Sequence, residues 1–376
     1  MKYYLIVGEA SGDLHASNLM KALLRKDPQA DFRFWGGDKM AAVGGQLVKH
    51  YRDLAFMGII EVLKNVRTIK QNFRSCKEDI LNYQPDVLIL IDYSGFNLRM
   101  AKWAKQQDLK VFYYIAPQVW ASRSDRAKEI QQYVDQLFAI LPFEKAFYKK
   151  YGMDINFVGH PLLDVVEEYP FDASFLTDYN ITQPIIALLP GSRKQEINKV
   201  LEVLLPVVQF FPNYQFVIAV APAIPLSFYK DIIAKTEDNL PIKLISGHTY
   251  DILKNAKAAI VTSGTATLET ALLDVPQVVC YKGNWLSYQI AKRFIKVPYI
   301  SLINLIAEKE LVKELIQYDL TIENIREELE MLLTEKKASA VREGYEAIRV
   351  ELGERGASER TARLMIEYLR LGDKPF

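Results

Sequence analysis

Four stretches of this sequence place residues able to do chemistry directly after an apolar, strand-like run. In one, Val87-Leu88-Ile89-Leu90-Ile91 leads straight into Asp92. A carboxylate at the end of a buried strand is partly desolvated, which raises its proton affinity and suits it to general-base work. Helix capping is the plain alternative, and Asn97, just ahead of a helix near Leu98, is better placed for it. A second stretch is Thr262-Ser263-Gly264-Thr265-Ala266-Thr267-Leu268-Glu269. Here a β-branched strand runs into small hydroxyl residues and a glycine at a helix N-terminus, a ready site for a diphosphate. Glu269 follows about one turn in, where a carboxylate can accept both hydroxyls of a ribose; otherwise this is a tightly packed helix start with Glu269 solvated. The third, Leu188-Leu189-Pro190-Gly191-Ser192-Arg193, offers close backbone approach at Gly191 and a forked phosphate donor at Arg193. Alone, that loop reads as a capped turn with a surface arginine. The fourth, Gly8-Glu9-Ala10-Ser11-Gly12-Asp13, lets backbone approach a ligand ahead of a helix, or simply starts that helix with Ser11 or Asp13 as its cap.

What the chain lacks narrows the chemistry further. There is no Asp-x-Asp pair, no His/Cys/carboxylate cluster with metal spacing and no Walker loop, so neither a metal nor a cofactor is expected. The glycines of the first loop do not match the dinucleotide fingerprint. Of the four histidines, His160 lies after a strand and reads as structural, while His15, His50 and His248 carry no signal. Forty-seven basic and 46 acidic side chains nearly cancel, so no nucleic-acid partner is indicated. Cys76 and Cys280 are too few for a disulfide framework and fit a reduced cytoplasm. No apolar run reaches the roughly 18 residues of a spanning helix.

The elements that must position these residues alternate with the grammar of a parallel sheet and crossover helices. Expected strands cover 3–7, 32–35, 87–91, 111–114, 136–140 and 156–158, then 185–189, 215–220, 242–244, 258–262 and 277–281. Helical patterns cover 14–24, 62–83 and 98–107, then 197–211, 250–255, 266–273 and 286–294. At 376 residues the chain is long enough for two domains, and the polar stretch 162–183 separates them. The expected fold is α/β: two Rossmann-like domains facing a cleft, with C-terminal helices. They span 1–165, joined by the C-terminal helix over 355–376, and 180–350. Ligands of such sheets bind beyond the carboxyl ends of the strands, where the four stretches lie.

One helical face invites a membrane. Beside the core stripe Val62, Val66, Ile69, Phe73, Cys76 and Ile80 runs a second face with Phe56, Ile59, Ile60 and Leu63, then Arg67, Lys70, Arg74 and Lys77. Bulky apolar residues ahead of cations suit a helix end dipping into an anionic interface, and burial against the other domain is the alternative.

Together these blocks resemble the lipid A disaccharide synthases along most of the chain. The resemblance is carried by residues 8–13, by Met57-Gly58-Ile59-Ile60-Glu61-Val62-Leu63, Ile91-Asp92, Leu141-Pro142-Phe143-Glu144-Lys145, residues 188–193 and 263–269, and Glu310-Leu311-Val312-Lys313-Glu314-Leu315. It implies a metal-independent, inverting glycosyltransferase of the GT-B type. UDP-2,3-diacylglucosamine would be the donor and 2,3-diacylglucosamine 1-phosphate the acceptor, giving a β-1,6-linked disaccharide 1-phosphate. Asp92 would be the base, with Glu9 and Asp13 beside it and Ser11 and Gly12 on the acceptor. Gly191, Ser192, Arg193, Ser263, Gly264, Thr265, Ala266, Glu269 and Asn304 would hold the UDP-sugar. The enzyme would sit peripherally on the anionic cytoplasmic face of a Gram-negative inner membrane through Phe56, Met57, Ile59, Ile60, Leu63, Arg67 and Lys70, with room for a homo-oligomer. The chain departs from the family pattern at Ser94-Gly95, Ser122 and Ile303. A UDP-sugar 2-epimerase and a non-catalytic nucleotide-sugar-binding protein are the competing readings.

Overall fold

The computed structural model describes residues 1–54, 66–236, 240–284, 288–289, 293 and 297–371. The chain forms two units, Met1–Pro161 with Leu352–Phe376, and Leu162–Glu351.

The first unit is built on a seven-stranded sheet, all parallel: β1 (Lys2–Ile6), β2 (Asp31–Gly36), β3 (Gln46–His50), β4 (Val87–Ile91), β5 (Val111–Tyr114), β6 (Gln136–Ala139) and β7 (Asn156–Phe157). Their order in space is β3-β2-β1-β4-β5-β6-β7. β4 reads Val-Leu-Ile-Leu-Ile and is buried throughout, as expected of a parallel strand with helices on both faces. Over one face, Tyr4, Trp35, Leu88, Leu90 and Tyr113 pack against Phe96, Met100 and Ala104 of the helix Ser94–Lys105. The C-terminal helix Ala357–Leu371 returns to this unit and packs on the helix Ala10–Lys26.

The second unit repeats the plan with six parallel strands: β8 (Ile185–Leu189), β9 (Gln215–Val220), β10 (Ile242–Ser246), β11 (Ala256–Thr262), β12 (Gln277–Tyr281) and β13 (Glu314–Ile316). The order is β10-β9-β8-β11-β12-β13. Each sheet therefore has one point where the chain reverses its direction of travel, between β1 and β4 and between β8 and β11. Helices leave on opposite faces at such a point and open a crevice beyond the strand ends. The loops after β1 and β4 carry Glu9 and Asp92; those after β8 and β11 carry Arg193 and Ser263. All four chemical stretches flank a reversal point.

The α/β class is borne out, and the local differences have physical causes. β3 was not expected: it is a partly exposed edge strand of mixed polarity, with little periodic signal. β13 has three residues, too few to read. The helix expected over 197–211 is an α-helix, Lys194–Leu204, which gives way to a 3-10 turn at Leu205–Phe210, where Pro206 cannot supply an amide. Asn97 is not a cap: the helix starts at Ser94, and Asn97 is fully buried within it. The expected helix over 62–83 is described as Val66–Tyr83. Phe56, Met57, Ile59, Ile60 and Leu63, and most of the helix expected over 286–294, lie outside the described residues.

Candidate active site

Asp92 occupies the turn out of β4 with φ 47°, and Tyr93 follows at φ 50° and ψ 49°. Two successive non-glycine residues in the left-handed region cost roughly 1–3 kcal/mol each, and persist only where their surroundings hold them. The surroundings here do. The Asp92 amide donates to Ile115 O at 3.1 Å, while the Asp92 carbonyl accepts from Asn97 Nδ2 at 2.8 Å and from the Tyr113 hydroxyl at 2.6 Å. Asn97 also reaches Ile91 O at 3.2 Å and Ile6 O at 3.3 Å, tying β1 to β4 beneath the site. Ile115, at the end of β5, is itself left-handed at φ 59°, a genuine outlier for a β-branched residue. The backbone is thus fixed by three partners and the carboxylate is left for other work. Burial pushes its proton affinity up, opposed by the amide of Tyr93.

Gly8 explains itself here, because a Cβ would sit 2.2 Å from the Tyr93 ring. Burial and then the charge of Glu9 raise the Tyr93 phenol, which puts Glu9 near Asp92's own turn. Ser11 is half-buried in the first turn of the helix Ala10–Lys26, and a Cβ on buried Gly12 would meet Val7 Cγ1 at 2.5 Å. The structure gives Asp13 a different task from the one expected. It is buried, and its carboxylate accepts from Gly37 N at 2.8 Å, Lys39 N at 3.1 Å and Met40 N at 3.1 Å. It caps a second helix, Asp38–Val43, far along the chain, and its oxygens are engaged there. His15 and His160 are buried nearby and held neutral, their pKa values lowered by burial to about 4 and about 3.

In the second unit, Gly264 has φ 155° and open space where a Cβ would be, ahead of the helix Thr265–Leu272. No side chain caps that helix, so its leading amides at Thr265 and Ala266 point toward the crevice with the positive end of the helix dipole. Ser263 donates instead to Ile300 O at 2.9 Å, anchoring the loop. Glu269 accepts from the Tyr250 hydroxyl at 2.7 Å, and burial raises its pKa against that bond. Across the reversal point, Gly191 at φ 113° lets the chain turn past Glu196, exposed Ser192 follows, and Arg193 Nη1 donates to Glu196 Oε1 at 2.9 Å. Both side chains of that pair stand at the mouth of the crevice, with Arg193 half exposed.

Asn304 is the clearest departure. It is fully buried: Nδ2 donates to Val312 O at 2.8 Å and Glu314 Oε1 at 2.9 Å, and Oδ1 accepts from Leu311 N at 2.9 Å and Val312 N at 3.0 Å. No hydrogen-bonding capacity remains for a ligand. Glu314 also accepts from Ile300 N and from both the amide and the hydroxyl of Ser301. With Ser263 bound to Ile300, this knot holds the glycine-hydroxyl loop in place. Among the described residues, no group of three or more His, Cys, Asp or Glu is placed to hold a metal.

Sequence reasoning missed Tyr113, Tyr250 and Glu196, and met Glu314 only within a family block, with no role given to it. Tyr250 had the one usable signal, an aromatic with a polar tip at the first turn after a strand.

The geometry gains a context from related proteins. A family model described as Lipid-A-disaccharide synthetase matches residues 3–367. The lipid-A-disaccharide synthase of Syntrophus aciditrophicus is 39% identical over 376 residues, covering 98% of both chains. The chain belongs to the lipid-A-disaccharide synthase family. Another member, from Geobacter sulfurreducens, is 36% identical over 372 residues and covers 97% of this chain and 96% of its own. Family membership makes the chain a glycosyltransferase. Among solved structures, the UDP-GlcNAc 2-epimerase of Methanocaldococcus jannaschii in complex with UDP-GlcNAc and UDP aligns with a TM-score of 0.65 at 16% identity, over 98% of this chain and 100% of that one. The calicheamicin glycosyltransferase CalG4 aligns at 0.61 and 16%, over 99% of each. At such identities these structures establish the shared fold.

Proposed function

We propose that this lipid-A-disaccharide synthase family member transfers 2,3-diacylglucosamine from UDP-2,3-diacylglucosamine to the 6-hydroxyl of 2,3-diacylglucosamine 1-phosphate. Asp92 takes the hydroxyl proton, the oxygen forms the bond to the anomeric carbon, and the bond to UDP breaks with its electron pair leaving on the diphosphate. Attack opposite the leaving group inverts the donor's anomeric centre and yields the β-1,6 linkage. The single observation that carries this reading is Asp92: a desolvated carboxylate on a strained, triply held backbone at a sheet's reversal point. Such strain clusters where a side chain must be aimed.

On the donor side, the amides at Gly264–Ala266 and the Arg193 guanidinium meet charge growing on the departing diphosphate, the Ser263 amide being bound to Cys280 O, and Glu269, oriented by Tyr250, accepts from the ribose. Arg193 must exchange Glu196 for phosphate to do so. No metal is required in this scheme. Glu9 and Ser11 line the acceptor side, Gly12 lets the first helix lie close, and Asp13 fixes the loop they stand on. Asn304 supports the donor loop from behind. Because both substrates carry acyl chains, the enzyme works peripherally at the anionic inner face of the inner membrane. Phe56, Met57, Ile59, Ile60 and Leu63 insert in this reading, and Arg67 and Lys70, exposed on the helix Val66–Tyr83, meet lipid phosphates.

Incubation with both lipids, followed by mass spectrometry, tests the reaction. A tetra-acylated disaccharide 1-phosphate and one UDP per disaccharide are expected, undiminished in excess EDTA. UDP release without acceptor, or a 2-epimerised donor, would assign the chain to epimerase chemistry instead, and loss under EDTA restored by Mg²⁺ would overturn the metal-free scheme.

A further inference from the structure

The proposed acceptor carries its phosphate on C1, and C1 and the C5 that bears the 6-hydroxymethyl group flank the same ring oxygen. A cation that recognises it must therefore stand about one ring's length from Asp92, on the first unit's crevice edge. The loop after β5 is the neighbour of the Asp92 turn, since β4 and β5 pair with Ile91 opposite Tyr114 and the Asp92 amide donates to Ile115 O. That loop runs through the short helix Val119–Ser122 and the 3-10 turn Ser124–Arg126, closed by Arg126 N donating to Arg123 O at 2.9 Å. Arg126 then heads the helix Ala127–Tyr133, which packs beside Ser94–Lys105. Both helices are crossovers of the same kind on consecutive parallel strands, so both begin at the crevice edge, one after Asp92 and the other after Arg126.

Among the described residues, the other cations of this edge are paired, stack on a ring as Arg99 does on Phe73, or lie further off. Arg52 pairs with Asp38 at 3.0 Å, Arg123 faces Asp125 at 3.7 Å and Lys145 faces Asp154 at 3.7 Å. Lys39 is exposed beyond β2, on the far side of β1. Arg126 is half-buried, and among the described residues it has no ion-pair partner. Its charge is felt at the Tyr113 phenol, whose hydroxyl binds the Asp92 carbonyl.

We infer that Arg126 binds the acceptor's phosphate while Asp92 takes the proton from its 6-hydroxyl, an inference resting on the transfer reaction proposed above. Guanidinium is suited to the task, since its planar fork matches phosphate oxygens two at a time. The arginine would thereby set the register of the sugar ring, with phosphate and nucleophile on either side of the ring oxygen.

The test compares two acceptors, 2,3-diacylglucosamine 1-phosphate and the same lipid without phosphate, in wild type, Arg126→Ala and Arg126→Lys. Wild type should prefer the phosphorylated acceptor in kcat/KM by tenfold or more, the size expected of one charge-assisted bond. In Arg126→Ala that preference should collapse toward unity through a raised acceptor KM, with the donor KM unchanged. Arg126→Lys, which keeps the charge and loses the fork, should fall between. A preference that survives in Arg126→Ala, or an equal loss on both acceptors, would overturn the inference and leave a structural role. Wild type forming no disaccharide at all would instead remove the transfer reading on which it rests.

Discussion

Asp92 and Glu269 are both carboxylates with raised proton affinity, yet their partners set them to different work. Asp92 spends its backbone on three hydrogen bonds and leaves its side chain at the crevice. Glu269 has one carboxylate oxygen held by Tyr250 at 2.7 Å, a geometry for orienting a ligand rather than moving a proton. Arg193→Ala and Tyr250→Phe should therefore weaken UDP binding, by roughly 1.5–3 kcal/mol for the arginine and about 1 kcal/mol for the phenol. Calorimetry reads both, and unchanged affinity in both variants would place the nucleotide elsewhere. These positions were legible in the sequence because each follows an apolar run directly. Side-chain roles were less so: nothing in Gly8–Asp13 indicates that Asp13 caps a helix some 24 residues on. A local pattern cannot show which distant amides will fold onto a carboxylate.

At the scale of elements, the sheet edge depends on small knots that hold the loops. Glu144 closes one after β6: it is buried, and its Oε2 accepts from Leu141 N at 3.0 Å and Ile140 N at 3.2 Å. Burial raises its pKa from 4.5 to about 7 against those amides. A raised carboxyl pKa favours folding most below pH 4.5, and that contribution is lost as pH climbs through 7. Glu144→Gln keeps an oxygen for both amides and removes the titration. Its stability relative to wild type should rise between pH 5 and pH 8, by at most about 3 kcal/mol. Parallel pH dependence of the urea midpoints would place the titrating group elsewhere. Asn304 and Glu314 form the corresponding knot in the second unit, and Asn304→Ala should lower the melting temperature by leaving buried partners unsatisfied. Strands with both faces buried were readable from composition, whereas the exposed edge β3 and the three-residue β13 were not. β3 is exposed or half-exposed at every position, and three residues are too few to show a period.

The whole molecule doubles one plan: two parallel sheets, each reversing direction once, each with its chemical loops at the reversal. Alternation of strand and helix patterns made that plan visible in the sequence, while the order of the strands needed the structure. The proposed docking to a bilayer belongs to this scale as well. Each cation near an anionic surface contributes about 1 kcal/mol, screened by salt. Replacing Ile59, Ile60 and Leu63 together with Ser should reduce vesicle sedimentation and activity on vesicle-borne substrate, while activity in detergent largely persists. Equal vesicle binding by both proteins would move the docking face. Asp92→Asn tests the proposed transfer most directly. Disaccharide formation and UDP affinity should be measured on the same preparation. Turnover is expected to fall by about 10²–10⁴ with UDP affinity unchanged. A variant keeping more than a tenth of wild-type turnover would contradict the account and make Glu9 the next candidate for the base.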